Sequence, residues 1–423
     1  MLLMARAAEV PGFDEPPIDD PKSWLARLAG AETDAAFVAN ALGTLDADPL
    51  VRDRLFDELD LPIRVAAGPD SPSRTDARWL RGSAVFQTRA FPRGRPDLHR
   101  EARRRPHVRS VSTRDARQLI HLAHESMVTR ERDLDAFASA DPADVRIVEW
   151  KDGLQFACLG VMPERRFVLE AVYAFLTLRN GVPIGYALAS ALFGSSELAF
   201  NIFETFRGGE AAWIYAKLIA TVRTLFASDT FAIYPYQLGH ENDEGLHSGA
   251  WWFYYKLGFR PREPSIAPLV EQELTRLAAR PGYRTRASTL KRLVRHHLFL
   301  SLGRTRDDVI GVLPMDRVGL AVTDYLNDRF GSDRRGAVEQ CADEVATLLD
   351  VNQWRRMPAG ERMMWRRWAP LVSALHGVQA WSAADRRMLA AAIRAKGSRR
   401  ESDAVALLTA HRPFRRALLR LAR

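Results

Sequence analysis

Cysteine is nearly absent: the 423 residues hold two, Cys158 and Cys341, far apart in the chain. That leaves neither a disulfide framework nor a zinc-ligand pattern, and it fits a reducing cytoplasm. Both are expected to be small buried apolar residues. Long apolar runs are missing as well. No stretch of about 18 uninterrupted apolar residues occurs, so no transmembrane helix is expected. The opening stretch, MLLMARAAEVPGFDEPPIDDP, sets no apolar segment behind a basic start and does not read as a signal peptide. No repeat of fixed period is evident, which sets solenoids and propellers aside.

What is present is a globular composition, 47% hydrophobic and 27% charged, on a chain long enough for two or three domains. The net charge of +9 is unevenly placed. Residues 351 to 423 carry 16 Lys and Arg against 4 Asp and Glu, a net of +12, so the rest of the chain sums to −3. A basic end of this kind can meet nucleic acid or another anionic surface. Here the arginines are spread through amphipathic segments, which favours the solvated face of a helical bundle.

Periodicity divides the chain. Residues 1–63 read as a helical segment, with apolar residues at three-to-four spacing in SWLARLAG, DAAFVANALGTL and DPLVRDRLFDEL and with Asp34 and Asp48 as caps. Residues 64–110, rich in proline and arginine, read as a basic linker or surface arm with little core of its own. Residues 111–265 alternate helix, several strands, helix, strand, helix and strand. That is α/β or α+β, a mixed, mostly antiparallel sheet flanked by helices. Residues 266–423 read as an all-helical basic domain.

Within the third segment the local signals are specific. STRDARQLIHLAHESMVTR is a helix burying Ala116, Leu119, Ile120 and Ala123. VRIVEW and LQFACLGV flank an Asp152-Gly153 turn, and Asn180-Gly181 joins two more apolar runs, both hairpin signatures. ELAFNIF is a further strand. FRGG then leads into the helix EAAWIYAKLIATVRTLFA, with a buried stripe at Ala212, Tyr215, Ala216, Ile219 and Val222. TFAIYPYQL is a strand that Pro235 bends or ends. His121 and His124 have the spacing of a ligand pair but lack a third ligand, and His296-His297 cannot share one helical face.

Two motifs carry chemistry. A turn with arginine and glycines before a long helix offers unpaired backbone N–H groups to an anion. One helix and one strand later comes HSGAWWFYYKLGF, which resembles the last helix of the GNAT acyltransferase superfamily. Ala250, Tyr254, Lys256, Leu257, Gly258 and Phe259 fit that family's pattern. His247 stands in an asparagine place, and Phe253 replaces an aliphatic residue. FRGGEAA is similar to the family's pyrophosphate loop. Arg207 and Ala212 fit it, and Glu210 stands where a glycine belongs. NGVPIGYALAS is similar to its central strands. The resemblance covers about a third of the chain.

The resemblance implies a splayed sheet that holds acyl-CoA between two central strands. It also implies direct acyl transfer, without a metal, from acetyl-CoA or another acyl-CoA to an amine. Tyr254 would be the general acid for the leaving thiolate, and Arg207, Gly208, Gly209, Ala211, Ala212 and His247 would hold the cofactor. Glu204 would deprotonate the amine, with Glu241 and His240 as alternatives. By pattern alone, Tyr254 shares a helical face with Ala250, Phe253 and Leu257 and is a core residue. Trp251 and Trp252, which the motif does not explain, are expected to pack against the helical domain. The other reading is a GNAT-like scaffold without catalysis, whose basic helical domain holds an anionic partner.

Overall fold

The computed structural model describes residues 21–58, 77–79, 84–88, 94–130 and 135–423. The expectations for residues 1–20 and for most of 64–93 lie outside the described residues. The chain forms two units, Met1–Pro72 and Ser73–Arg423.

The first unit contains α1 (Pro21–Ala29), α2 (Asp34–Gly43) and α3 (Pro49–Glu58). Thr33 caps α2 by accepting from the Ala36 amide at 3.2 Å, so Asp34 is its first helical residue and not the cap. Asp48 does cap α3, accepting from the Leu50 amide at 2.9 Å.

The second unit is built on one nine-stranded sheet. It opens with α4 (Leu98–Glu101), β1 (His107–Ser110), α5 (Thr113–Val128) and α6 (Asp135–Ala138). Ser112 caps α5, accepting from the Asp115 amide, and the expected Ala116, Leu119, Ile120 and Ala123 are buried. Then come β2 (Ala140–Glu149), β3 (Leu154–Val161), β4 (Ala171–Arg179), β5 (Val182–Leu192) and β6 (Ser195–Ile202), an antiparallel meander from β1 to β6. The β4–β5 turn has Asn180 and Gly181 both at positive φ, 49° and 78°. That is the twist-matched hairpin geometry the Asn-Gly pair favours. A Cβ on Gly181 would lie 2.2 Å from the Trp79 carbonyl oxygen, so glycine is required there for packing as well.

Next, α7 (Ala211–Phe226) crosses over to β7 (Thr230–Ile233), which lies parallel to β6. Pro235 ends the β7 run by opening the short α8 (Pro235–Leu238). Then follow α9 (Asp243–Ser248), α10 (Ala250–Lys256), β8 (Arg260–Pro261), α11 (Ala267–Ala279), α12 (Ala287–Leu293) and β9 (Leu298–Ser301). The sheet order is β1-β2-β3-β4-β5-β6-β7-β9-β8. Six helices complete the chain: α13 (Met315–Phe330), α14 (Arg334–Leu348), α15 (Ala359–Ala374), α16 (Ala383–Lys396), α17 (Glu401–Ala410) and α18 (Arg412–Leu421).

Three further expectations change. STLKRLVRHHLFLSL is not one helix. Its second half is β9, because Leu298 and Leu300 complete the sheet core beside β7. The stretch 94–110 is not a coreless arm either, since Leu98 and Ala102 are buried in that core and β1 forms the sheet edge. HSGAWWFYYKLGF is two helices, not one, because Gly249 at φ 69° ends α9 before α10 begins.

One face of the sheet packs α7, α10 and α11 around Leu198, Phe231 and Leu298, and the other packs α5 and α6 against β2–β4. Helices α13–α18 surround a second core at Trp354, Trp365 and Trp368. Cys158 and Cys341 are both buried, as expected, and burial pushes the Cys158 thiol up to about 12.

The turn between α16 and α17 is bolted to the sheet by buried charge. The Lys396 ammonium donates to Glu401 and to the carbonyls of Leu169 and Glu170. Arg166 donates to the carbonyls of Val161, Lys396 and Ser398. The Tyr173 hydroxyl donates to Asp144 Oδ2 at 2.6 Å and accepts from the Ser402 amide at 2.8 Å.

Candidate functional site

The two central strands part. β6 and β7 pair only over Ser195↔Thr230, Ser196↔Phe231 and Glu197↔Ala232. Beyond that point β6 runs on to Ile202, while β7 ends at Ile233. The edge of Leu198–Ile202 that faces β7 therefore has no strand partner for its backbone polar groups.

The loop after β6 leads into α7. The first amides bonded into that helix are those of Trp213 and Ile214, both to the Glu210 carbonyl. The amides from Gly208 to Ala212 precede them, at the positive end of the helix dipole. Gly208 and Gly209 are exposed, and a Cβ on either would meet nothing within 4 Å. Arg207 anchors the loop by donating to the Ile202 carbonyl at 3.0 Å and to Glu244 Oε1 at 2.5 Å. Glu244 lies three residues before His247 on α9, so the exposed His247 shares the helix face turned to this loop. Glu210 does not pair with Arg207. It accepts from Arg179 at 2.7 Å, and Arg179 also bonds Asp152, as does Lys217. The Glu210 carboxylate is thus neutralised from the side of β4.

Tyr254 is 3% exposed on α10. Its ring lies 5.4 Å from Tyr215 and 5.7 Å from Phe259, and Tyr215 lies 5.2 Å from Phe200 on the open half of β6. This aromatic chain ties α10 through α7 to the parted strand. Burial raises the pKa of both phenols well above the ordinary tyrosine value, so both stay protonated. The Tyr215 hydroxyl is buried without a hydrogen-bond partner. Such a group calls for a ligand or water to complete it. Trp251 stacks on Tyr255 within the sheet core and does not reach the α13–α18 bundle core, while Trp252 donates to Thr285 at 3.0 Å.

Glu204 lies in an exposed turn, Glu204–Phe206, beyond the end of β6. At ~3.3 Å per residue, the strand alone carries it about 17 Å or more from the parting point. Glu197 stands at that point. Its Oε2 is 3.3 Å from His297 Nε2, and the His297 ring meets the edge of Tyr234. The sequence reading missed this pair. Glu197 was visible as a lone carboxylate in a central strand, but His297 was assigned to a helix, so nothing brought the two together. His121 is exposed, and His124 bonds the Phe137 carbonyl at 2.7 Å.

Many arginines of the basic end are engaged by carboxylates: Arg355 with Asp343, Arg366 with Glu339, Arg394 with Glu361 and Arg415 with Asp308. Among the described residues, no helix is long and apolar enough to cross a membrane. Comparisons with protein families, curated proteins and solved structures find no match.

Proposed function

We propose that the chain is an acyl-CoA-dependent N-acyltransferase of the GNAT type. The observation that carries this reading is the parting of β6 and β7 after Glu197↔Ala232, with a glycine-bearing loop and helix N-terminus at one end and Tyr254 linked to the open strand through Tyr215 and Phe200. The amides of a pantetheine arm would pair along Leu198–Ile202. The pyrophosphate would sit before α7, against the amides of Gly208 to Ala212.

The acceptor nitrogen attacks the thioester carbonyl as its proton passes to the Glu197–His297 pair. The C–S bond breaks, and Tyr254 supplies the proton that the sulfur takes up. Glu197 takes the role first expected of Glu204, because it stands where the strands part. No step requires a metal. The alternative, a GNAT-like scaffold without catalysis, rests on Glu210 standing where the family's loop has a glycine, although its carboxylate is paired with Arg179.

Calorimetric titration of acetyl-CoA separates the two readings. The acyltransferase binds it, and Tyr254→Phe keeps the binding and the thermal midpoint while slowing turnover by about 10²-fold or more, as loss of a general acid does. Absence of binding at millimolar acetyl-CoA overturns the reading and leaves the scaffold.

A further inference from the structure

A cleft of about 430 Å³ opens between the strap preceding β4 and helices α13 and α15. Its walls are apolar: Val168 and Leu169 on the strap, Val318 and Val322 on α13, and Leu371 on α15. Phe167, 53% exposed, stands on its rim. Volume and lining suit a small molecule with an apolar body.

Two charged residues line the cleft. Arg367 is committed, since its guanidinium donates to the carbonyls of Glu164 and Arg166. Glu170 is not: its carboxylate makes no hydrogen bond or ion pair among the described residues. The nearby Lys396 ammonium is already held by Glu401 and two backbone carbonyls. Burial, and then the charge of Glu197, raise the Glu170 pKa, which marks a carboxylate short of positive charge. Pro370, on the cleft wall, supplies no N–H, so the Arg366 carbonyl one turn back lacks its helical donor.

The cleft also has an address. The register Val172↔Ser190↔Glu197 runs across β4, β5 and β6, so Glu170, two residues before Val172, projects from the same sheet face as Glu197. At ~4.8 Å between strands, the two carboxylates are on the order of 10 Å apart. A cation held at Glu170 therefore lies on the side of the Glu197–His297 pair.

We propose that this cleft captures the acyl acceptor, a primary amine carried on an apolar body, with its ammonium docking at Glu170 before the nitrogen moves on to the Glu197–His297 pair for transfer. The word acceptor rests on the acyltransferase reading; the binding does not, and it is measured without acyl-CoA. The probes are hexylammonium, hexanol and hexanoate, which share one chain and differ in head group. Calorimetry should find hexylammonium bound at least about tenfold more tightly than the other two. Glu170→Gln should erase that preference. Gly319→Leu should abolish binding of all three, because a Cβ at this helical position enters open space at the cleft, and it should leave the thermal midpoint unchanged or higher.

Equal binding of hexanoate overturns the charge assignment. Unaltered binding in Gly319→Leu overturns the location, and no binding of hexylammonium at tens of millimolar overturns the proposal. If acetyl-CoA binds while hexylammonium does not, the cleft proposal falls and the transferase reading stands. If the reverse holds, the cleft stands and the transferase reading falls.

Discussion

At the residue scale the protein hides its hydroxyls. Tyr173, Tyr215 and Tyr254 are all enclosed, and burial raises each phenol's pKa above the ordinary value of about 10. A pKa raised in the folded state means that the unfolded chain gives up its phenolic protons first. Stability is therefore unaffected below pH ~10 and falls as pH rises beyond it. Absorbance at 295 nm followed with circular dichroism checks this. Three of the nine tyrosines should ionise only as the fold is lost. Ionisation of all nine while the dichroism is unchanged contradicts the burial. The same enclosure makes the Tyr254 phenol a weaker acid than an exposed one, so a proton-donating role as proposed would need the bound ligand to change its surroundings. The sequence pattern could not separate core from cleft here, because the helical spacing that buries Ala250 and Leu257 also points Tyr254 inward.

At the scale of elements, local chemistry made much of the fold legible. The Asn180-Gly181 turn, the Ser112 cap and Pro235 each act within a few residues, and each element stands where those residues require. What escaped were elements decided at a distance. HLFLS becomes β9 only because β7 and β8 leave a gap for it, and RPDLHREA contributes to the core only because α7 packs on Leu98. Glu197 and His297 meet through the same distant strand. The buried Lys396–Glu401 pair, five residues apart across the α16–α17 turn, was equally unreadable from spacing.

That pair joins the α16–α17 turn to β4, and its removal tests the joint. Lys396→Met leaves the buried Glu401 with only the longer Arg166 contact, at 3.9 Å, and should cost about 3–5 kcal/mol in urea unfolding. Adding Glu401→Leu should recover part of the loss. A single variant within 1 kcal/mol of the parent would show that the charges do not hold the helices to the sheet.

At the scale of the molecule, a mixed sheet and a helical bundle form one unit from residue 73 onward, and the seam between them holds both the charged bolt and the apolar cleft. The basic end, read alone, allows an anionic partner but favours the solvated face of a helical bundle. In the fold, several of its arginines are spent on carboxylates of neighbouring helices, and the proposed chemistry lies instead around the parted strands. Hydrogen exchange with and without acetyl-CoA tests that claim most directly. The account predicts protection concentrated in two places, the amides of Leu198–Ile202 and those of Gly208–Ala212, with α13–α18 little changed. Protection confined to the helical bundle, or none at saturating acetyl-CoA, contradicts it.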